Sequence, residues 1–377
     1  MNIVTKIKQL IEELCPNGIG YKELQDILTI KNGSDYKNLG EGDFPVYGSG
    51  GIMTYVDRFA YDKPSVLIPR KGSIDKLYYV DTPFWNVDTI FYTEINTDVA
   101  IPKFVFYCLQ KQHLEELNTA GGVPSLTQKV LNKVKIPVPP LPVQEEIVRI
   151  LDTFTELTTE LTTELTTRKQ QYEHYTYQLL NFDDTVQTHQ LRELIDFRNG
   201  KGHEKDIVSD GKYIVVNSKF ISTNGEVKKY SNKQICPLFV DDILMVMSDL
   251  PNGRALAKCF LVAEDDKYTL NQRIGAFHVM DESVIKTKFL LYVLNRNQQL
   301  LRYDNGVDQT NLRKDDILDI MIPVPSIEEQ ERIVAILDRF DTLCNDISEG
   351  LPAEIEARQK QYEYYRDKLL TFKALSA

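Results

Sequence analysis

The chain has few cysteines, and none of them is paired by spacing. Five of its 377 residues are Cys (Cys15, Cys108, Cys236, Cys259 and Cys344), with no CxxC among them. That argues against structural zinc and a disulfide framework, and for reduced thiols in a cytoplasm. The five histidines (His113, His174, His189, His203 and His278) also fall at no metal-ligand spacing. No apolar run approaches the ~18 residues of a membrane span. The opening stretch, MNIVTKIKQLIEELCPNG, carries glutamates and lacks a signal-peptide core. A cytoplasmic protein with no membrane partner is expected. There is no GxxxxGK[ST] phosphate loop, no clear glycine-rich cofactor loop, and no Asn-Pro-Pro-aromatic tetrapeptide of an amino-methyltransferase. Asp210, Glu226 and Lys228 follow the acid–acid–lysine order of some metal nucleases, an order common by chance in charged loops. The chain is read as non-catalytic, with no cofactor or metal of its own.

Net positive charge is lacking too. A formal charge of −11 taken as a whole opposes nucleic-acid binding, but it is unevenly placed. Residues 19–141 hold 13 basic and 14 acidic side chains, and residues 189–323 hold 19 of each. The excess lies in 142–188, with 3 basic against 9 acidic, and in 324–377, with 7 against 11. Two near-neutral regions can still present a basic face to phosphates, while the acidic segments should face away from DNA.

What is abundant is repetition. IPVPPLPVQEEIVRILDTF (136–154) is answered by IPVPSIEEQERIVAILDRF (322–340), and RKQQYEHYTYQLLNF (168–182) by RQKQYEYYRDKLLTF (358–372). The offsets, 186 and 190 residues, are far longer than a solenoid period and indicate a duplicated domain plus a duplicated helix. A pseudo-two-fold chain suits a two-part target.

After Pro142 the pattern turns helical. Apolar or aromatic residues recur at Ile147, Ile150, Leu151, Phe154, Leu157, Leu161, Leu165, Tyr172, Tyr175 and Leu179, mostly in steps of three or four, which predicts a coiled-coil-like seam. A helix over about 143–182 would be ~60 Å long, a spacer rather than a packed core element. Within it runs TEL-TTEL-TTEL-TT (155–167). Each tetrapeptide adds ~6 Å against ~3.4 Å per base pair, so the tract is either a ruler graded in base-pair steps or a repetitive solvated helix. The second copy contains Gly350-Leu351-Pro352, which predicts a break near 350 and a new helix over about 352–373.

The globular halves align more weakly. Lys31-Asn32-Gly33 resembles Arg198-Asn199-Gly200, Ser65–Arg70 sits where Asp242–Met247 sits, and Phe104 and Tyr107 match Phe289 and Tyr292. Each half reads as short strands with Gly/Asn/Asp turns and then one helix, over 102–118 or 286–302, which is an α+β pattern.

These strings resemble the conserved regions of type I restriction–modification specificity subunits, above all GGVPSLTQKVLNKVKIPVPPLPVQEEIVRIL (121–151) and NLRKDDILDIMIPVPSIEEQERIVAIL (311–337). The TTEL tract resembles the subgroup with tetrapeptide repeats in the central helix, in which repeat number follows gap length. The resemblance covers essentially the whole chain. It implies an α+β protein of two similar globular α/β target recognition domains, separated by two long conserved helices packed as an antiparallel coiled coil with pseudo-two-fold design. The corresponding parts are 1–141 (an N-terminal helix and the first recognition domain), 142–188 (the spacer helix), 189–323 (the second recognition domain) and 324–377 (the C-terminal helical region). It further implies a bipartite double-stranded DNA site, two methylation subunits that use S-adenosylmethionine, and restriction subunits that use ATP and Mg.

Arg and Lys read guanine, Asn and Gln read adenine, and basic and hydroxyl groups hold phosphates. In the first half such residues cluster in loops at Lys31 and Asn32, Ser49 and Gly50, and Arg70, Lys71 and Ser73, with Trp85 and Asn86 as weaker candidates. In the second half they are Arg198, Asn199 and Lys201; Asn217 and Lys219; Ser248, Asn252 and Arg254; and Asn271, Gln272 and Arg273. The competing reading is a duplicated coiled-coil scaffold whose lobes bind protein, and a nuclease built on Asp210, Glu226 and Lys228 is a distant third.

Overall fold

The computed structural model describes residues 3–118, 124–251, 255–346 and 349–375. The chain divides into two compact units, Met1–Glu164 with Pro352–Ala377, and Leu165–Leu351.

Each unit is built on a four-stranded antiparallel sheet. In the first the order is Leu28–Asn32, Ile90–Ile95, Ser65–Pro69, Tyr78–Val80; in the second it is Ile195–Asn199, Ile274–Val279, Ile243–Val246, Cys259–Leu261. The strands Ser65–Pro69 and Ile243–Val246 are buried along their whole length, because they are inner strands covered on both faces and so read as continuous apolar runs. A second sheet, three-stranded in the first unit and four-stranded in the second, accompanies each. It contains a parallel pair, Phe44–Gly48 with Trp85–Asn86 in the first unit and Tyr213–Val216 with Tyr268–Leu270 in the second.

One helix packs on each main sheet. Helix Pro102–Lys111 buries Phe104, Val105, Tyr107, Cys108 and Leu109, and helix Thr287–Leu294 buries Phe289, Leu290, Val293 and Leu294. Both are shorter than the sequence suggests. The first stops before His113, at φ 46°, and the second before Arg296, at φ 58°. A left-handed residue ends a helix, and because neither is glycine the stop left no mark in the sequence. Each chain then continues as a short turn of helix, Leu114–Leu117 or Gln298–Leu301.

The spacer helix runs without interruption from Leu141 to Leu180, 40 residues. Pro142 lies in its first turn, where a missing N–H costs nothing. Only its first turns are buried, at Val143, Gln144, Glu146, Ile147, Ile150 and Leu151. Past these the threonines satisfy their own hydroxyls. Thr158, Thr159, Thr162 and Thr163 each donate to the carbonyl four residues back, at 2.7–2.9 Å, so a β-branched polar tract sits in a helix with no buried hydroxyl to place.

The helix makes an antiparallel pair within each unit. In the first, Phe154 stacks on Tyr365 at 5.2 Å, and Thr158 and Thr162 line a groove with Tyr362 and Gln359. In the second, Tyr172 and Tyr175 stack on Phe340 at 6.0 and 5.5 Å. The partners are helices Leu351–Leu369 and Ile327–Asn345. The break between them falls where the Gly-Leu-Pro triplet predicts it. A Cβ on Gly350 would lie 2.4 Å from the Thr342 carbonyl oxygen, so only glycine fits the turn.

Candidate nucleic-acid interface

In the first unit three loops meet at one end of the sheets. The peptide N–H groups of Arg70 and Lys71 both donate to the Thr89 carbonyl (2.8 and 3.3 Å), and the Thr89 hydroxyl accepts from the N–H of Ser49 (3.3 Å). The Tyr78 hydroxyl donates to the Ser49 carbonyl at 3.2 Å. Leu126 N–H donates to Arg70 O (2.9 Å) and Gly72 N–H to Pro124 O (3.2 Å). The Gln128 amide reaches Ile30 O at 3.2 Å and Asn32 Oδ1 at 3.5 Å. Lys31, Asn32, Ser49, Gly50, Arg70, Lys71 and Ser73 are thereby gathered on one rim. Gly72, at φ 81°, turns the chain back after the two cations. Thr89, Tyr78 and Gln128 were not anticipated. Each acts through a partner far along the chain, which local pattern does not show.

In the second unit Gln272 N–H donates to Lys201 O (3.1 Å), Lys201 N–H to Leu270 O (3.2 Å), and Asn271 N–H to Val216 O (3.1 Å), the last placing Asn271 beside Asn217. Met247 N–H donates to Arg273 O at 2.8 Å. His203 is buried below this rim, with Nδ1 2.7 Å from Lys201 O and Nε2 2.9 Å from Thr269 Oγ1.

The two rims share a pair of equivalent backbone bonds. Arg70 N–H to Thr89 O matches Met247 N–H to Arg273 O, and Leu126 N–H to Arg70 O matches Leu312 N–H to Met247 O. Gly33 and Gly200 are both forced. A Cβ would come within 2.2 Å of Val87 O in one and 1.8 Å of Asn271 O in the other. The scaffold is repeated while its cations are not. Arg70 stands where the second unit has Met247, and Arg273 stands where the first has Thr89.

The candidates differ in what their side chains already do. Lys71, Lys201, Lys219 and Arg273 are exposed and Arg70 is half-buried; among the described residues none has a carboxylate partner. The Arg70 guanidinium lies 5.7 Å from the Phe91 ring centroid. Asn32, Gly50 and Asn199 are exposed, and Ser49 and Ser73 half-buried.

Other candidates have structural work. Lys31 pairs with Glu94 at 3.5 Å. Arg198 is bound to the carboxylate of fully buried Asp242 and to Pro237 O. Asn217 Oδ1 caps the short helix Ser218–Ser222 by accepting from Phe220 N–H at 2.9 Å. Asn271 Oδ1 accepts from His203 N–H at 3.2 Å, and the Gln272 amide donates to Glu204 at 2.7 Å.

Ser248 is only 5% exposed, its hydroxyl bonded to Asn311 Oδ1 (2.6 Å) and Gln309 Nε2 (2.7 Å). It braces the rim from beneath rather than facing solvent. Asn86 is fully buried, its amide donating to Ile90 O at 2.9 Å, and half-buried Trp85 donates through Nε1 to Ser34 O at 3.0 Å. Asn252 and Arg254 lie outside the described residues, as do Gly121 and Gly122.

A family model for the type I restriction modification DNA specificity domain matches residues 16–168 and again 183–357. The chain belongs to the type I restriction–modification specificity subunits. It is 30% identical over 352 residues to a putative type I restriction enzyme specificity subunit of Haemophilus influenzae, spanning 88% of this chain and 89% of that protein. It is 34% identical over 306 residues to the EcoR124I/EcoR124II specificity subunit of Escherichia coli, covering 74% and 73%. The fold is similar to that of the crystallised S subunit of a type I restriction–modification system from M. genitalium, with a TM-score of 0.61 and 16% identity over 94% of this chain and 96% of that one. These matches do not favour the protein-binding scaffold. Among the described residues no helix of this specificity subunit is long and apolar enough to cross a membrane.

Proposed function

We propose that each unit reads one half of a bipartite double-stranded DNA site through the rim described above. The observation behind this reading is a duplicated backbone frame that bears unpaired cations at different places in its two copies, Arg70 opposite Met247 and Arg273 opposite Thr89. Arg70 and Lys71 serve the first half-site; Lys201, Lys219 and Arg273 serve the second. Asn32 and Asn199 complete the rims. Arg198, Lys31, Asn217, Asn271, Gln272 and Ser248 shape them.

The chain carries no chemistry of its own in this reading. Two methylation subunits supply adenine methylation with S-adenosylmethionine, and restriction subunits supply ATP- and Mg-dependent translocation and cutting, all in the cytoplasm. The spacer helix sets the unread gap, as in the tetrapeptide-repeat subgroup. The test is a methylome. The chain is expressed with its methylation partner in a methylation-free host, and the modified adenines are sequenced. One split motif with a fixed gap is expected. No new mark from an intact, soluble complex would overturn the reading.

A further inference from the structure

Gln144 and Gln330 are both fully buried, and they make the same three hydrogen bonds. Gln144 Oε1 accepts from Ile101 N–H at 2.8 Å, and its amide donates to Val99 O (3.0 Å) and Pro139 O (2.7 Å). Gln330 Oε1 accepts from Lys286 N–H at 2.8 Å, and its amide donates to Val284 O (3.0 Å) and Pro325 O (2.9 Å). Ile101 and Lys286 immediately precede the helices that pack on the recognition sheets, Pro102–Lys111 and Thr287–Leu294. Each glutamine, in the first turns of a long helix, therefore grips the entry to a sheet-bearing helix.

A second tie lies eight residues on, ~12 Å along the helix. The Asp152 carboxylate accepts from the Tyr107 hydroxyl (2.5 Å) and Lys103 Nζ (2.8 Å). The Asp338 carboxylate accepts from the Tyr292 hydroxyl (2.7 Å) and Lys288 Nζ (2.6 Å). Tyr107 and Tyr292 have their phenol pKa pushed up, first by burial and then by these carboxylates, so both remain proton donors.

Apolar packing alone lets a helix slide or roll by small steps at little cost. A buried amide with three backbone partners cannot move without leaving donors and acceptors unpaired. Two such directional ties at separate heights also resist rotation. The same clamp recurs in both units, at the same turn of each long helix and on the residue that leads into the sheet-packing helix, which points to a demand for register. We propose that Gln144 and Gln330, with the Tyr–Asp–Lys ties beyond them, are positioning residues that lock each recognition unit to its helix at one register, making the gap between half-sites single-valued. This rests on the bipartite reading above.

The test uses the full chain with its methylation partner, and reads both the half-site bases and the number of base pairs between them. The variants are Gln144→Met, Gln330→Met and the double Lys103→Met/Tyr107→Phe, which removes the second tie and leaves both glutamines in place. The expected result is that both half-sites persist while modification at gaps one base pair longer or shorter rises at least tenfold over the parent. A variant that marks only the parental gap, at whatever level, overturns the clamp, as does one that changes half-site bases. If a glutamine variant fails to assemble, the double variant decides by the same criteria. A parent complex that marks no split motif removes the underlying function itself, whereas a split parental motif with strict variants removes only the clamp.

Discussion

Arg70 and Arg198 were equivalent candidates by residue type, and their surroundings separate them. Arg70 rests on the Phe91 ring with no carboxylate among the described residues, so its charge is available to a ligand. Replacing Arg70 or Arg273 with Ala is expected to weaken specific DNA binding of the assembled complex by about 1–3 kcal/mol. A base contact relaxes one half-site position, whereas a phosphate contact lowers the salt slope by about one. Binding titrations across salt concentrations distinguish the two, and unchanged affinity in both variants would remove these residues from the interface. Arg198→Ala should behave differently. It strands the Asp242 carboxylate, which is fully buried and keeps only His278 Nδ1, at 3.1 Å, and the Phe239 N–H, at 2.8 Å. Removing one partner of a buried pair costs about 3–5 kcal/mol, read as a lower melting temperature with unaltered half-site bases. Glu146 supplies a pH-dependent counterpart. Hydrogen bonds from Arg149, reinforced by Lys6, outweigh burial and hold its carboxyl pKa down to about 2. A depressed pKa stabilises fully above the ordinary carboxyl range and progressively less as pH falls towards 2. Arg149 and Lys6 are more than half exposed, so solvent screening leaves about 1–3 kcal/mol. Glu146→Gln should therefore lower the melting temperature at pH 7 and match the parent near pH 2. An equal deficit at both pH values would refute the ion-pair account.

Elements were legible where one local pattern decides them. The spacer helix was expected over about 143–182 and spans Leu141–Leu180, because its seam repeats every three or four residues and Pro142 is tolerated in a first turn. The interruption was legible in Gly350 and Pro352, although the preceding helix already ends at Asn345 and the next ends at Leu369 rather than near 373. The sheet-packing helices were over-extended because His113 and Arg296 adopt left-handed backbone without the glycine that would have signalled it. The rims were half legible. Loop composition pointed to Arg70 and Lys71, but not to Thr89 or Gln128, nor to the burial of Ser248, all of which depend on distant pairing. The threonine tract is the element whose length can be edited most cleanly. Deleting Thr158–Leu161 removes one tetrapeptide of about 6 Å from a stretch in which the Thr158 and Thr159 hydroxyls each bond the carbonyl four residues back, beside the shallow groove facing Gln359 and Tyr362. The gap in the methylated motif should shorten by about one base pair. An active complex with an unchanged gap would show that the tract is not a ruler.

At the scale of the whole molecule, duplication separates two demands that a single domain would have to meet together. The frame is constrained: the same sheet order, the same Gly33/Gly200 approach, the same glutamine clamp and the same Tyr–Asp–Lys tie recur in both units. The rim is less constrained, because Arg70, Met247, Thr89 and Arg273 are held there largely through backbone N–H and carbonyl groups, with two local demands: the Thr89 hydroxyl also accepts from Ser49 N–H, and Arg273 sits at φ 71°. Specificity can then change by exchanging side chains or whole lobes without disturbing the helices. Replacing residues 189–321 with the matching segment of another specificity subunit should accordingly alter one half of the recognised motif and leave the other half intact. The exchange ends before Pro323 and keeps Gln330, so its junction at the Thr188–Gln190/Met321–Pro323 strand pair should be made with matched register. Sequencing the modified adenines of the chimera decides the matter: altered bases in both half-sites would mean that the two lobes do not read DNA independently, whatever symmetry their backbones share.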